Sequence, residues 1–327
     1  MSVSSKSRAI DATMSGQHAG RILRDNSILL IFIIMCIGIS LLTGGRFLTA
    51  YNLINVIRQV SITAIVATGM TFVILTGGID LSVGSVIAVS GCVIALLLKQ
   101  GWSVVSVLLI GLVVGLVAGL VNGLLVAKGE LPPFIATLAS MTFLRGLALL
   151  ITGGYPIGLW LPEFKWIGSG YLAGIPVPIW IMVLTITIMS VILRRTRFGK
   201  YVYAIGGNTD AARLSGINVD KILILVYGLC GLFSGLGGAI LAARITSGQP
   251  TAGTGYEMDV IASVIVGGTS LSGGQGTLRG TVIGAFIMGI LSNGMNILNI
   301  SAYWQYLTKA TVIVIAVLMD VRSKKHA

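Results

Sequence analysis

Long apolar runs alternate with short polar stretches along most of this chain. A bilayer core about 30 Å thick takes about 20 apolar residues per helical crossing. The runs at 27–43, 54–75, 85–98, 103–127, 133–152, 178–193, 222–243, 258–268, 280–298 and 303–319 therefore read as membrane spans. The run ending at 268 is short for a full crossing. About ten spans leave only short loops and no room for a sizeable soluble domain. The expected organisation is an N-terminal polar tail (1–26), one all-α polytopic membrane domain (27–320) with its longest loop at 194–221, and a C-terminal tail (321–327). The sequence after the first run, GGRFLTAYN, has no small-residue cleavage pattern, so that run reads as a retained span.

Composition agrees. The 327 residues are 55% hydrophobic and only 10% charged, against about 25% charged in soluble domains. Disordered, collagenous, coiled-coil and disulfide-framework classes are excluded. Net charge is +12, from 22 Lys+Arg and 10 Asp+Glu. The basic clusters flank apolar runs, so they report orientation in a membrane rather than nucleic-acid binding. With the N-terminus inside, fifteen Lys and Arg fall on one side, and Arg46, Lys99, Lys165 and Arg244 on the other. Both termini are expected in the cytoplasm, which requires an even number of crossings. The three cysteines (Cys36, Cys92, Cys230) are scattered through apolar runs. The two histidines (His18, His326) sit in polar tails, so neither a metal site nor a catalytic constellation is expected.

Three patterns carry information. Gly111, Gly115, Gly119 and Gly123 repeat every fourth residue, with a shorter stripe at Gly231, Gly235 and Ala239. Such stripes let helix backbones approach closely in lipid, within one subunit or across a dimer seam. Two glycine-rich breaks, 77–84 (GGIDLSVG) and 267–274 (GGTSLSGG), interrupt apolar runs. They mark either the working region of a transporter, where freed backbone groups need a polar cavity, or two turns capped by Ser or Asp. By the charge bias both lie on the cytoplasmic side. Third, in the loop 194–221, Asn208 can N-cap a short helix over 209–215 that Gly216 closes. Asp210 and Arg213 match its dipole, and Ala211, Ala212 and Leu214 leave it small and partly apolar. A lone two-turn helix is unstable in water, so it docks on a partner protein or on its own membrane domain.

At this loop the string AIGGNTDAARLSGINVDKI resembles the cytoplasmic coupling segment of bacterial sugar ABC-importer permeases of the ribose, xylose, arabinose and galactose family, most of all the ribose branch. The strings GMTFVILTGGIDLSVGS, PPFIATLASMTFLRG and RITSGQPTAGTGYEMDVIASVIVGGTSLSGGQGTLRGT carry the same resemblance in the expected order. It implies a fold similar to the cobalamin-type ABC importer permeases, a homodimer in the bacterial inner membrane, a periplasmic sugar-binding protein that delivers cargo, and a separate ATP-binding subunit that docks at Gly207, Asn208, Asp210, Ala211, Ala212, Arg213, Leu214 and Gly216. No GxxxxGK[ST] occurs in the chain, so ATP would be hydrolysed on that partner and no cofactor is expected here.

Asp80, Ser82, Asn122, Thr137 and Asn293 are the candidate pathway residues; the alternative for each Asn is an interhelical hydrogen bond. The stretch 246–257 is expected to face outside. The competing class is an ion-coupled secondary sugar transporter, which would keep ionisable groups inside the bilayer at about 2.5–3.5 kcal/mol each. Asp80, Glu257 and Asp259 are expected near span ends, as caps or interfacial charges. Arg145 lies deeper, near a pore or snorkelling.

Overall fold

The computed structural model describes residues 27–325; the N-terminal tail and residues 326–327, with both histidines, lie outside the described residues. Thirteen helices follow: α1 (Ser27–Leu42), α2 (Ala50–Leu75), α3 (Val83–Lys99), α4 (Val104–Ala127), α5 (Pro133–Thr152), α6 (Pro162–Ser169), α7 (Val177–Arg195), α8 (Arg197–Gly207), α9 (Thr209–Leu214), α10 (Val219–Ile245), α11 (Tyr256–Val266), α12 (Leu278–Ile297) and α13 (Ala302–Lys325). The last helix runs through Lys325, so most of the stretch expected as a C-terminal tail is helical.

The starts and stops have local causes. Proline occupies the first turn of α5, α6 and α7, where its missing N–H costs nothing. Ser103, Thr196, Asn208, Asn218 and Thr277 each accept a backbone N–H with the side chain at a helix start. Seven helices are long and apolar enough to cross a membrane: α2, α4, α5, α7, α10, α12 and α13. Two more apolar helices, over Ile28–Leu42 and Val83–Lys99, are shorter. The eighth run holds only α11, whose 11 residues rise about 16 Å, half a bilayer core. This is a polytopic all-α membrane protein.

The inner helices are α2, α3 and α10. From Val60 to Leu75 nearly every residue of α2 is buried. Helices α1, α4, α5, α7 and α13 form the outside and expose Leu, Ile, Val and Phe broadly, as a lipid-facing surface does. At one end of the bundle lie Arg194, Arg195, α8, α9, Lys128 and Lys221; we call this the basic end. The opposite end carries α6 and two small antiparallel ribbons. One pairs β2 (Tyr171–Leu172) with β3 (Ile175–Pro176); the other pairs β1 (Ile157–Gly158) with β4 (Ser247–Gly248).

Candidate functional site

The first glycine-rich break folds into a buried polar knot. Asp80 is 1% exposed, so it is not the solvated cap its sequence position suggested. Its Oδ1 accepts from the Ser82 backbone N–H at 2.9 Å and from the Ser82 hydroxyl at 2.6 Å. The Asn122 amide donates to Ser82 Oγ at 2.8 Å and to Asp80 Oδ1 at 3.4 Å. Thr137 donates to the Ile79 carbonyl at 3.3 Å, and Tyr227 to the same oxygen at 3.4 Å. Four of the five candidate pathway residues therefore meet at one place, in a polar cluster that ties α4, α5 and α10 to the break. All four are fully buried, so in this conformation they brace the break rather than line an open channel. The fifth, Asn293, is elsewhere: it exchanges two amide hydrogen bonds with Asn52, at 3.0 and 2.9 Å.

The second break repeats the local geometry of the first. The aligned Ser270 Oγ accepts from the Ser272 N–H at 3.3 Å, as Asp80 does from Ser82, and donates to Asp320 at 3.1 Å. The two breaks also touch. Gly274 N–H donates to the Leu75 carbonyl at 2.9 Å. A Cβ on Gly273 would sit 2.9 Å from Gly77 N and 3.0 Å from Gly206 Cα, and one on Gly274 would sit 3.0 Å from Gly207 N. A Cβ on Gly206 would overlap the Leu75 carbonyl and Gly274 N. Three backbones thus pack without side chains between them: the end of α2, the end of α8 and the second break. Tyr203 on α8 reinforces the junction by donating to the Gly276 carbonyl at 2.8 Å, and burial raises its phenol above the usual range, keeping the proton on. Phe198 on α8 stacks on Phe72, with centroids 6.0 Å apart.

From this junction the chain enters α9. Asn208 Oδ1 accepts from Ala211 N–H at 2.9 Å, and Gly216 adopts φ +81° beyond the helix end. Ala212 is the one residue of α9 that packs inward, while Leu214 is 90% exposed. Asp220 at the start of α10 pairs with Arg213 at 3.3 Å and with Lys128 at 3.0 Å, fixing the helix at the basic end. This two-turn helix is thus held at both ends, with its one large apolar side chain bare.

The segment after α10 departs most from the sequence reading. It leaves the end ribbon and turns inward instead of forming a loop outside. Gly248 packs on Gly91, Cys92 and Ala95 of α3, and Gly253 packs on Gly84, so residues 248–253 run along α3 for about 12 Å. Ile87 packs on Gly238 of α10 and Asp80 meets Cys230; Gly84, between them in sequence, is thus level with the middle of α10. The short helix α11 consequently begins at mid-depth. Non-helical backbone there needs partners, and Arg145 supplies two, donating to the Pro250 carbonyl at 2.6 Å and to that of Ala252 at 2.9 Å. Glu257 Oε1 accepts from Gly255 N–H at 3.1 Å. Glu257 and Asp259 are therefore half-buried near the middle of the bundle, not at a span end. Lys309 on α13 donates to Asp259 at 2.8 Å with both side chains about three-quarters buried.

The glycine stripe of α4 faces the shorter stripe of α10. Gly115 lies against Gly231 and Gly235, Gly119 against Tyr227 and Gly228, Gly123 against Ile224, and Gly111 against Ile94 of α3. Sequence reasoning missed the contact between the two breaks and α8, because Gly206 carries no sign of its partners. It also missed the Asp259–Lys309 pair, although opposite charges in two apolar runs were the available signal.

The family model described as branched-chain amino acid transport system / permease component matches residues 52–317. The ribose import permease of Escherichia coli K12 is 48% identical over 295 residues, covering 89% of this chain and 92% of the relative. The ribose import permease of Bacillus subtilis 168 is 52% identical over 289 residues, covering 88% and 89%. The xylose transport system permease of Escherichia coli K12 is 34% identical over 347 residues, covering 87% and 88%. No solved structure matches the chain.

Proposed function

The chain belongs to the branched-chain amino acid transport system permease family, in the branch of the ribose and xylose permeases, and we propose that it is the membrane-spanning permease subunit of an ATP-driven monosaccharide importer, with a ribose-type pentose as cargo. It is a transport component rather than an enzyme. Its partners in this reading are an ATP-binding ABC subunit, a periplasmic sugar-binding protein and a second copy of itself, within the lipid of the bacterial inner membrane. The basic end faces the cytoplasm, with both termini there. Ten crossings satisfy that parity, with α11 and the turn-rich segment 248–253 together making one of them, in a fold of the cobalamin-importer type.

The observation that carries this reading is the placement of α9. Its exposed Leu214 offers the ATPase a grip, and the backbone just before it, Gly206–Gly207, touches the end of α2 and the second glycine-rich break. ATP-driven closure of the partner would push α9, and the side-chain-free junction passes the movement to the end of α2 and to the loop after α11. Driving a two-state gate from 1:99 to 99:1 takes about 5.5 kcal/mol of differential binding, within what nucleotide and partner contacts supply. The knot of Asp80, Ser82, Asn122 and Thr137 sits beside that gate and re-forms with it.

The experiment is purification of the tagged chain from its native membrane in mild detergent, with mass spectrometry of what accompanies it. A Walker-A protein recovered with wild type and absent with Leu214→Asp supports the reading; recovery with both places the docking elsewhere. A second reading, an ion-coupled secondary sugar transporter, draws on the depth of Asp80, Glu257 and Asp259. Asp259 is paired with Lys309 and the other two are held by hydrogen bonds, which suits bracing better than a proton relay. Sugar uptake abolished by a protonophore and indifferent to ATP depletion would favour this alternative.

A further inference from the structure

Between α11 and α13 lies a cavity of about 520 Å³ with an apolar floor that includes Met258, Ala310 and Ile313 and a polar wall of Thr254, Tyr256, Asp259, Gln305, Tyr306 and Lys309. We propose that this cavity is the site where the sugar pauses in the membrane, a low-affinity site for one neutral monosaccharide; this rests on reading the chain as a sugar permease.

Four observations lead to it. The first is depth. The lining runs down α13 from its first turn at Ala302 and meets α11 where that helix begins, at the middle of the bundle, and a helix that starts there after non-helical backbone leaves polar groups facing a cavity instead of lipid. The second is the ion pair. Lys309 and Asp259 are 21% and 24% exposed and 2.8 Å apart, in a stretch of α13 that is otherwise an apolar outer helix. A contact serving only to hold α13 in place is met at least as well by apolar residues of similar volume, so an ion pair facing a cavity points to a polar ligand.

The third is the chemistry of the set. A carboxylate accepts from hydroxyls, an ammonium donates to them, and a primary amide and two phenols do both. The Tyr256 and Tyr306 rings add flat apolar faces with polar tips, which suit the C–H face and the hydroxyl rim of a sugar ring. The fourth is charge and size. Asp259 and Lys309 cancel, so an anionic or cationic cargo would have to break the pair, whereas a neutral polyol can bridge it. The volume falls in the range of small-molecule pockets, about 300–1,000 Å³, and holds one monosaccharide with a few waters.

The test uses the full chain in lipid nanodiscs with one reporter. Thr254→Cys puts a near-isosteric thiol on the wall, with half-buried Cys36 changed to Ser and the buried Cys92 and Cys230 kept. The rate of maleimide labelling is measured with and without D-ribose at tens of millimolar, and with ribose 5-phosphate as the charged comparison. Ribose is expected to slow labelling at least threefold and ribose 5-phosphate to leave it unchanged. Asp259→Asn with Lys309→Met, checked for unchanged elution on size exclusion, should abolish the protection. Tyr306→Ala, at a side chain that is largely exposed, should weaken it and raise the KM of ribose uptake in the assembled transporter. Labelling indifferent to ribose in a chain that still takes up ribose with ATP would overturn the assignment, as would protection that survives the double substitution. Absent protection together with absent ribose uptake would instead overturn the reading of the chain as a ribose-type permease, and this inference with it.

Discussion

At the scale of single residues, the polar groups inside the bundle divide into those that fasten and those that face space. Asn122 fastens: its amide holds Ser82 and Asp80 together across α4 and the first break. Asn122→Leu removes the donor that both buried oxygens share while leaving them bonded to each other, which costs about 0.5–1.5 kcal/mol, and the apparent melting temperature in detergent should fall by a few degrees. Asn293 fastens in a milder way, because its partner Asn52 is only half-buried. Interhelical polar pairs in membranes average about 0.6 kcal/mol, so Asn293→Ala should leave both melting and ribose uptake nearly unchanged. Uptake abolished by Asn293→Ala, in a protein that still folds, would return that residue to the pathway. The residue types were legible in the sequence; their division was not. Asp80, Ser82, Asn122 and Thr137 stand out as polar letters in apolar runs, but only the fold of the break decides that they face one another. Asp259 and Lys309 are 50 residues apart and each looks like an ordinary interfacial charge until α11 is seen to start at mid-depth.

At the scale of elements, the packing of α4 on α10 and the contact of α8 with the breaks both depend on glycine for closeness. A Cβ on Gly119 would overlap the Tyr227 carbonyl, and one on Gly231 the Gly115 carbonyl. Overpacking costs about 1–3 kcal/mol even where side chains can yield, and here the obstacle is backbone. Gly119→Ile is expected to abolish recovery of folded protein, read by size exclusion; a normal monodisperse peak would contradict the packing. Gly206→Val tests the junction differently. Helix α9 and its Asn208 cap stay outside the change, so the ATPase should still co-purify while ribose uptake is lost. Leu214→Asp should lose both together. If Gly206→Val transports normally, the junction does not carry the coupling. The four-residue glycine period and the cap of α9 were readable because each is a local pattern with a local cause. The inward course of the stretch 248–253 was not. Its Pro, Thr and Gly composition reads as a surface loop, and only Arg145, Gly84 and Gly91 at a distance explain why it can lie inside.

For the whole molecule, the runs of apolar residues predicted the all-α membrane class, and the motifs predicted the family that the relatives bear out. The distribution of exposure extends that picture. No spanning residue of helix α13 is fully buried within the chain, and its Tyr303, Trp304 and Leu307 stand out at the end opposite the basic one. A second copy, the binding protein and lipid have that surface available, while the ATPase has Leu214 at the other end. In the proposed function the chain is a passage with a grip at one end, and sugar moves only when ATP is hydrolysed on a partner. The most direct measurement is uptake of radiolabelled ribose into proteoliposomes holding the permease with its ATPase, with the binding protein supplied on the far side. Uptake should require ATP on the basic-end side, persist in the presence of a protonophore, and vanish with Leu214→Asp. Uptake that proceeds without ATP and collapses with the protonophore would contradict the account.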